Sequence, residues 1–91
     1  MARESAVHEK SFRFAVRIVK MAQHLRRGSG EFVLSKQVLR SGTSIGANVE
    51  EASAAQSRKD FISKMAIASK ESRETLYWLR LLKETELLDE R

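Results

Sequence analysis

Residues 34–52 read LSKQVLRSGTSIGANVEEA, and this stretch decides the fold of the chain. Gly42 and Gly46 lie four residues apart inside it, and each glycine costs about 1 kcal/mol relative to alanine in a helix interior. We expect this helix to use the glycines either to let another helix come close or to bend, and we expect it to be the central element. Its apolar residues recur at spacings of three, four and seven, which is typical of one stripe along an α-helix: Leu34, Val38, Ile45, Val49 and Ala52.

The composition favours a small helical domain. The chain has 91 residues, of which 42% are hydrophobic, and it contains no proline and no cysteine. A domain of this size has a thin stability margin unless it oligomerises. The absence of cysteine excludes disulfides and thiolate metal sites. Because residues 1–10 lack the apolar segment of a signal peptide and no stretch approaches the roughly 20 apolar residues of a membrane span, we predict a cytoplasmic protein that makes no membrane contact.

The hydrophobic periodicity predicts one helical bundle domain that spans the chain. The sequence GSG at residues 28–30 is expected to form the turn after the first helix, and Ser35 or an earlier residue is expected to cap the second. Ser57 and Asp60 have the spacing of a capping box at the start of the third. Such short connections imply antiparallel neighbours. The predicted domain covers residues 1–91, and its helices span about residues 5–26, 34–55 and 59–84.

The net charge of +5 is concentrated in the first predicted helix. Residues 1–27 hold seven basic residues against Glu4 and Glu9, whereas the rest of the chain is neutral in sum. An uneven distribution of this kind points to an anionic partner. The basic residues recur three or four apart and form a stripe on the face opposite the apolar one: Lys10, Arg13, Arg17, Lys20, His24 and Arg27, with Arg26 nearby.

Two interpretations of this basic stripe stay open. Lysine and arginine bind the phosphates of RNA or DNA with release of counterions, and a helical face presents several of them at once. Alternatively, the stripe is a solvated face that keeps the protein soluble. Because no aromatic residue lies within the stripe, stacking on bases is not indicated and binding is expected to be largely independent of nucleotide sequence. The candidate nucleic-acid-binding residues are Lys10, Arg13, Arg17, Lys20, Arg26 and Arg27.

The polar residues of the central helix offer a second candidate site. Asn48 and Glu51 are placed to line a small polar site with Glu71 or Glu74 of the third helix. The interpretation we favour is structural, because buried polar groups usually serve as hydrogen-bond partners within the fold. In that interpretation Asn48 bonds across a helix interface and the glutamates pair with lysine or arginine.

No pattern in the sequence indicates catalysis, a metal site or a cofactor. His8 and His24 are far apart, and the Glu-x-x-His pairs of di-iron bundles are absent. The serines have no histidine at a suggestive spacing, and the segments that contain glycine lack the lysine of a phosphate-binding loop. Tyr77 and Trp78 are adjacent and therefore point to different faces, so we expect one of them in the core or an interface. We predict that the protein is not an enzyme.

Two segments carry a resemblance to a known family: LRSGTSIGANVEEA at residues 39–52 and KDFISKMAIASKESRETLYWL at residues 59–79. With them, the chain from Phe14 to Leu88 resembles the bacterial four-helix bundle proteins, also called ribosomal RNA intervening-sequence proteins. The resemblance implies an antiparallel up-and-down four-helix bundle and a ring-shaped homo-oligomer, typically a pentamer. It also implies kinship with the basic accessory protein of diversity-generating retroelements, which works with nucleic acid and a reverse transcriptase.

The resemblance also implies a difference from the family pattern. The family continues beyond Leu88 into a fourth helix, whereas only residues 89–91 follow here, and Asp89 and Glu90 look like the first turn of that helix. We therefore expect three helices and a stub, with apolar surface exposed where a fourth helix lies in the family. Exposed surface of this kind favours self-association or a protein partner. The residues expected to be structural or at interfaces are Gly42, Ser44, Gly46, Asn48, Glu51 and Trp78.

The predicted function is that of a non-enzymatic, oligomeric, basic scaffold that binds nucleic acid, RNA above all, without sequence specificity. The alternative is a structural or protein-interaction module with no nucleic-acid role. Salt dependence separates the two, because phosphate binding weakens steeply as salt is added, whereas an apolar protein interface need not.

Overall fold

The structure, a computed structural model, describes the backbone of residues 2–88 and the side chains of residues 6–88. Over this range it is entirely helical apart from turns, which confirms the prediction of an all-α bundle with three helices. The helical turn expected at Asp89 and Glu90 lies outside the described residues. The helices are α1 (Ala2–Gly28), α2 (Val33–Ser53) and α3 (Arg58–Glu84).

The helix ends lie within three residues of the predicted ones, and α3 ends at Glu84 as predicted. Helix α1 extends to Gly28 because the helical hydrogen bonds continue there, and the Ser29 amide still donates to the Leu25 carbonyl at 3.1 Å. Helix α2 ends at Ser53, two residues earlier than predicted, because the chain tightens at its end. The amide of Ala54 donates to the carbonyl of Glu51, three residues back, at 3.2 Å. Such a tightened last turn is common at helix ends.

Helix α2 is the centre of the bundle, as the sequence predicts. Both α1 and α3 pack closely on α2, whereas over the described range no Cα atom of α1 lies within 8 Å of a Cα atom of α3. Four buried apolar side chains, contributed by all three helices, form the core cluster: Ile18, Leu25, Val38 and Leu82. A buried hydrogen bond links α2 to α3, in which Thr75 Oγ1 and Ser41 Oγ are 2.9 Å apart.

The two glycines of α2 allow the close approach of α1. A Cβ atom placed on Gly42 would lie 2.9 Å from both γ-carbons of Ile18, and one placed on Gly46 would lie 3.2 Å from the backbone oxygen of Ser11. Both distances are shorter than ordinary contacts between non-bonded carbon atoms or between carbon and oxygen. Of the two predicted roles for these glycines, the structure therefore shows close helix packing.

The connection between α1 and α2 is held by Glu31. Gly30 has φ of 72°, a conformation that glycine adopts without strain. The carboxylate of Glu31 then accepts hydrogen bonds from the backbone amides of Val33, Leu34 and Ser35 at 2.9–3.1 Å. The residue that caps α2 is thus earlier than Ser35, whose own hydroxyl is buried and donates to the Glu31 carbonyl.

The environment of Glu31 lowers its carboxyl pKa below the usual value of 4.5. Partial burial alone would raise the pKa, but the amides of Leu34, Ser35 and Val33 stabilise the carboxylate, and the positive charge of Arg26 adds to their effect. The charged form of Glu31 is therefore part of the folded structure.

Both ends of α3 have defined caps. Ser57 Oγ accepts a hydrogen bond from the Asp60 amide at 3.0 Å, which confirms the predicted cap. At the other end, the Leu87 amide donates to the Leu82 carbonyl at 3.0 Å and the Glu86 amide to the Lys83 carbonyl at 3.0 Å, which together form a Schellman motif. Glu86 occupies the left-handed position of this motif with φ of 63°. The turn folds Leu87 and Leu88 back onto the core.

Candidate nucleic-acid interface

The basic side chains of α1 form two rows on its exposed surface. We call Lys10, Arg17 and His24 the inner row, because they border the open space between α1 and α3. We call Arg13, Lys20 and Arg27 the outer row, which lies further toward solvent on the same helix. Residues seven apart on a helix lie nearly above one another, so the members of a row are about 10 Å apart along the axis. All six side chains are exposed.

The positive charge of the two rows is largely uncompensated. Arg13 Nε lies 2.8 Å from Glu9 Oε2, but both side chains are mostly exposed, and pairs of this kind contribute little to stability. Among the described side chains, Lys10, Arg17, Lys20 and Arg27 have no carboxylate within ion-pair distance. The face is therefore available to an anionic partner.

Arg26 does not belong to this face. It lies on the side of α1 that packs against the start of α2, where it is half-buried. Its Nε donates to Ser35 Oγ at 3.2 Å, and its guanidinium lies 5.9 Å from the centre of the Phe32 ring. Consecutive residues on a helix differ by about 100° in direction, which separates Arg26 from Arg27. Five of the six candidate residues therefore share the exposed surface, whereas Arg26 contacts Ser35 and Phe32.

An apolar groove runs beside the inner row. Helix α2 forms its floor with Ile45 and Val49, and its walls include Phe14 of α1 and Leu76 and Leu79 of α3. A second section of the groove continues past Met21 to the turn at the end of α3, where Leu88 lines it. Exposed apolar surface was expected from the sequence, but the position of the inner row at its edge was not predicted. The signal was present in the spacing, because Lys10, Arg17 and His24 lie three or four residues from Phe14 or Met21 and therefore beside them on the helix.

The second candidate site is not assembled. Asn48 Nδ2 donates to the carbonyl and hydroxyl oxygens of Ser44 at 2.9 and 3.1 Å, so it bonds within α2 and not across an interface, which corrects the expectation from the sequence. Glu51 pairs with Lys64 at 2.8 Å, away from Glu71 and Glu74. The expectation that the glutamates pair with basic residues holds for Glu51.

Glu74 belongs to a separate polar cluster between α2 and α3. Its Oε2 accepts hydrogen bonds from Trp78 Nε1 at 3.1 Å and from Arg40 Nη2 at 2.6 Å. The hydrogen bond from Trp78 lowers the pKa of the Glu74 carboxyl, partial burial opposes that shift, and Arg40 and Lys70 reinforce it. The Trp78 ring packs against the core, as expected for one of the two aromatic residues, whereas the Tyr77 side chain is exposed.

His8 of α1 pairs with Glu50 of α2 on the side away from the groove. Over the described side chains, no three His, Cys, Asp or Glu residues are grouped so that they could hold a metal ion. Likewise, none of the helices in the described part of the chain is long and apolar enough to cross a membrane.

The comparison with known proteins settles the family. Residues 3–91 match the family of 23S rRNA-intervening sequence proteins. The chain belongs to this family. Among solved structures, a protein with unknown function from the S23 ribosomal protein family of Bacteroides thetaiotaomicron VPI-5482 is similar, with 59% sequence identity and a TM-score of 0.90. The match covers 91% of this chain and 77% of that chain.

Family membership confirms the predicted resemblance and the helical fold, but it assigns no activity. The solved relative from the S23 ribosomal protein family is itself described as a protein with unknown function. No curated protein matches the chain significantly. Function has to be argued from the surfaces of the molecule.

Proposed function

We propose that the chain is a non-enzymatic, oligomeric scaffold that binds the phosphate backbone of nucleic acid, RNA in the first place, through the exposed cations of α1. The observation that carries the proposal is the uncompensated basic face. Its members are Lys10, Arg13, Arg17, Lys20 and Arg27, which are exposed and have one ion pair among the described side chains.

The geometry of the face suits a backbone ligand. From Lys10 to Arg27 the helix rises about 26 Å, long enough to follow several successive phosphates. No aromatic side chain lies in either row, so the face offers no platform on which bases would stack. The expected binding is therefore electrostatic and largely independent of nucleotide sequence.

Oligomerisation would strengthen such binding. We propose a ring-shaped homo-oligomer, a pentamer by the family resemblance, because each added protomer repeats the basic face and phosphate contacts add. We also propose that the protein acts in the cytoplasm, where it would bind RNA or DNA.

A titration against fluorescent RNA duplex, single-stranded RNA and DNA at several salt concentrations tests the proposal. If five cations of one protomer contact phosphates of a duplex, log Kd changes with log salt with a slope of magnitude about 4 to 5. That slope corresponds to a loss of affinity of about 500-fold between roughly 50 and 200 mM salt.

Charge reversal provides the matched control. Arg13→Glu with Lys20→Glu is expected to weaken binding at least about tenfold and to reduce the slope by about 2. Lys59→Glu with Arg73→Glu changes the net charge equally but alters exposed residues of α3. It is expected to retain most of the affinity. Equal losses of affinity in both variants would show that only the net charge of the protein matters. Absence of binding by the wild-type protein at low salt would refute the proposal.

The second candidate is a protein-interaction module, which the open apolar groove favours. Binding through that groove would bury apolar surface and depend weakly on salt, in contrast to phosphate binding. A protein ligand that binds with an unchanged Kd across the same salt series would support it.

A further inference from the structure

Neither row of α1 contains an aromatic side chain, but one stands beyond the end of the outer row. Phe32 lies in the turn that follows α1, five residues after Arg27, which is the last cation of that row. The residue is 63% exposed. Because a single exposed phenylalanine is common on protein surfaces, its neighbours decide whether it can bind a ligand.

The backbone around Phe32 is held by defined hydrogen bonds. The carboxylate of Glu31 accepts hydrogen bonds from three backbone amides at the start of α2, immediately after Phe32. The carbonyl of Phe32 accepts hydrogen bonds from the Lys36 amide at 3.1 Å and from the Ser35 hydroxyl at 3.2 Å. A ring that projects from such a backbone loses little conformational freedom when it binds a ligand.

Arg26 contacts one face of the Phe32 ring. Its guanidinium carbon lies 5.9 Å from the ring centre, within the range of a cation–π contact. The hydrogen bond from Arg26 Nε to Ser35 Oγ fixes the guanidinium in this position. Among the described side chains, Phe32 makes no further aromatic or cation–π contact. Because the residue is mostly exposed, the opposite face of the ring is open to a flat ligand.

Two uncompensated cations flank the ring. Arg27 precedes it at the end of α1, and Lys36 lies four residues after it, on the same side of the first turn of α2. Both side chains are exposed, and among the described residues neither has a carboxylate within ion-pair distance. A Cβ atom placed on Gly28 or Gly30 would approach no other part of the fold within 4 Å, so open space adjoins the turn. An aromatic face between two cations suits a nucleotide strand, in which a flat base lies between anionic phosphates.

We propose that Phe32 is a stacking platform for one unpaired base of an RNA strand that binds along the outer row. Arg27 and Lys36 contact the phosphates on either side of this base, and Arg26 positions the ring from behind. The inference rests on the proposed function, because it requires a bound strand, and it adds a preference for unpaired over paired RNA. Since every base can stack on an aromatic ring, binding stays largely independent of nucleotide sequence.

The test compares two fluorescent single strands that carry the same number of phosphates. One is an RNA of about 12 adenosines, and the other has the same length but no bases on its sugars. The Kd of each for the 91-residue protein is measured by fluorescence anisotropy. The wild type is expected to bind the adenosine strand about tenfold more tightly than the abasic strand. Phe32→Ala should remove this difference and leave the slope of log Kd against log salt unchanged, because the substitution removes no cation.

Three controls separate stacking from other effects of the substitution. Tyr77→Ala removes an aromatic side chain of similar exposure, 59%, from α3 and should keep the difference between the two strands. Phe32→Trp should also keep it, because tryptophan retains an aromatic face. In a blunt RNA duplex every base is paired, so Phe32→Ala should bind the duplex with the affinity of the wild type.

Each failure has a distinct signature. Equal affinity of the wild type for both single strands, with duplex binding retained, would overturn the stacking platform and leave phosphate binding by α1 in place. Equal losses by Phe32→Ala on the duplex and on both single strands would assign the ring to folding or self-association, and would also overturn the inference. Absence of binding to all three ligands by the wild type would refute the proposed function and this inference with it. Circular dichroism and light scattering of each variant show whether its helices and its oligomeric mass are those of the wild type.

Discussion

Replacement of Gly42 by alanine tests whether close packing of α1 on α2 holds the bundle together. The new methyl carbon would lie 2.9 Å from Cγ1 and Cγ2 of Ile18 and 3.3 Å from its Cβ. Rotation of the Ile18 side chain about χ1 relieves only one of the two γ-carbon contacts, because the other γ-carbon still faces Gly42 and Cβ stays in place. The two backbones have to move apart.

The expected magnitude follows from two opposing effects. Overpacking of a well-packed core costs about 1–3 kcal/mol. Alanine in place of glycine in a helix interior favours folding by about 1 kcal/mol. Because the contact involves two side-chain carbons at once, we place the steric cost at the upper end and expect a net destabilisation of about 1–2 kcal/mol.

A double-mutant cycle isolates the steric part. Ile18→Ala removes both γ-carbons and leaves only the 3.3 Å contact with Cβ, so in that background most of the destabilisation by Gly42→Ala should disappear. Ile18→Val keeps two γ-carbons and should therefore leave the cost of Gly42→Ala in place.

Urea unfolding followed by circular dichroism gives these free energies, with protein concentration held fixed because self-association would change the apparent stability. A Gly42→Ala variant as stable as the wild type, with Ile18 retained, would refute the reasoning. The reasoning also fails if Ile18→Val relieves the destabilisation as well as Ile18→Ala does.

Two further predictions concern the ends of helices. Because the pKa of Glu31 is lower in the folded state than in the unfolded state, its contribution to stability is present above that unfolded value of about 4.5 and is lost as the pH falls through the folded pKa. The difference in unfolding free energy between wild type and Glu31→Gln should therefore shrink as the pH is lowered, and a constant difference would contradict this. Glu86→Gly should stabilise the protein by about 0.5–1 kcal/mol in urea unfolding, since glycine adopts the left-handed conformation without cost; a loss of stability would show that the Glu86 side chain contributes more than its conformation costs.

The sequence predicts the helices and the central position of α2 because both depend on local periodicity. The apolar spacing around Gly42 and Gly46 defines one packed face, and two glycines on one helix indicate a close neighbour. The cap of α3 at Ser57 is equally local, since the hydroxyl and the amide that it binds are three residues apart.

The sequence does not predict which neighbour each polar side chain contacts. Asn48 has the position of an interface residue, yet Ser44 one turn earlier offers both a carbonyl and a hydroxyl at hydrogen-bond distance. Glu31 precedes α2 by two residues and caps it from outside the usual cap position, a geometry that depends on the turn at Gly30. The Glu31 contact follows from loop conformation and the Asn48 contact from the choice of side-chain rotamer, and the spacing of residues fixes neither.

The cations of α1 show why this limit matters for function. Arg26, Arg17 and Arg27 belong to one helix, but Arg26 contacts Ser35 on α2, Arg17 borders the groove and Arg27 faces solvent. A charge reversal spread over the whole stripe would therefore mix effects on helix packing with effects on phosphate binding. Variants confined to the outer row avoid this mixture, because Arg13, Lys20 and Arg27 lie away from both the α2 contact of Arg26 and the lining of the groove. A loss of nucleic-acid affinity in Arg13→Glu with Lys20→Glu consequently reports on phosphate contacts and not on the packing of the helices.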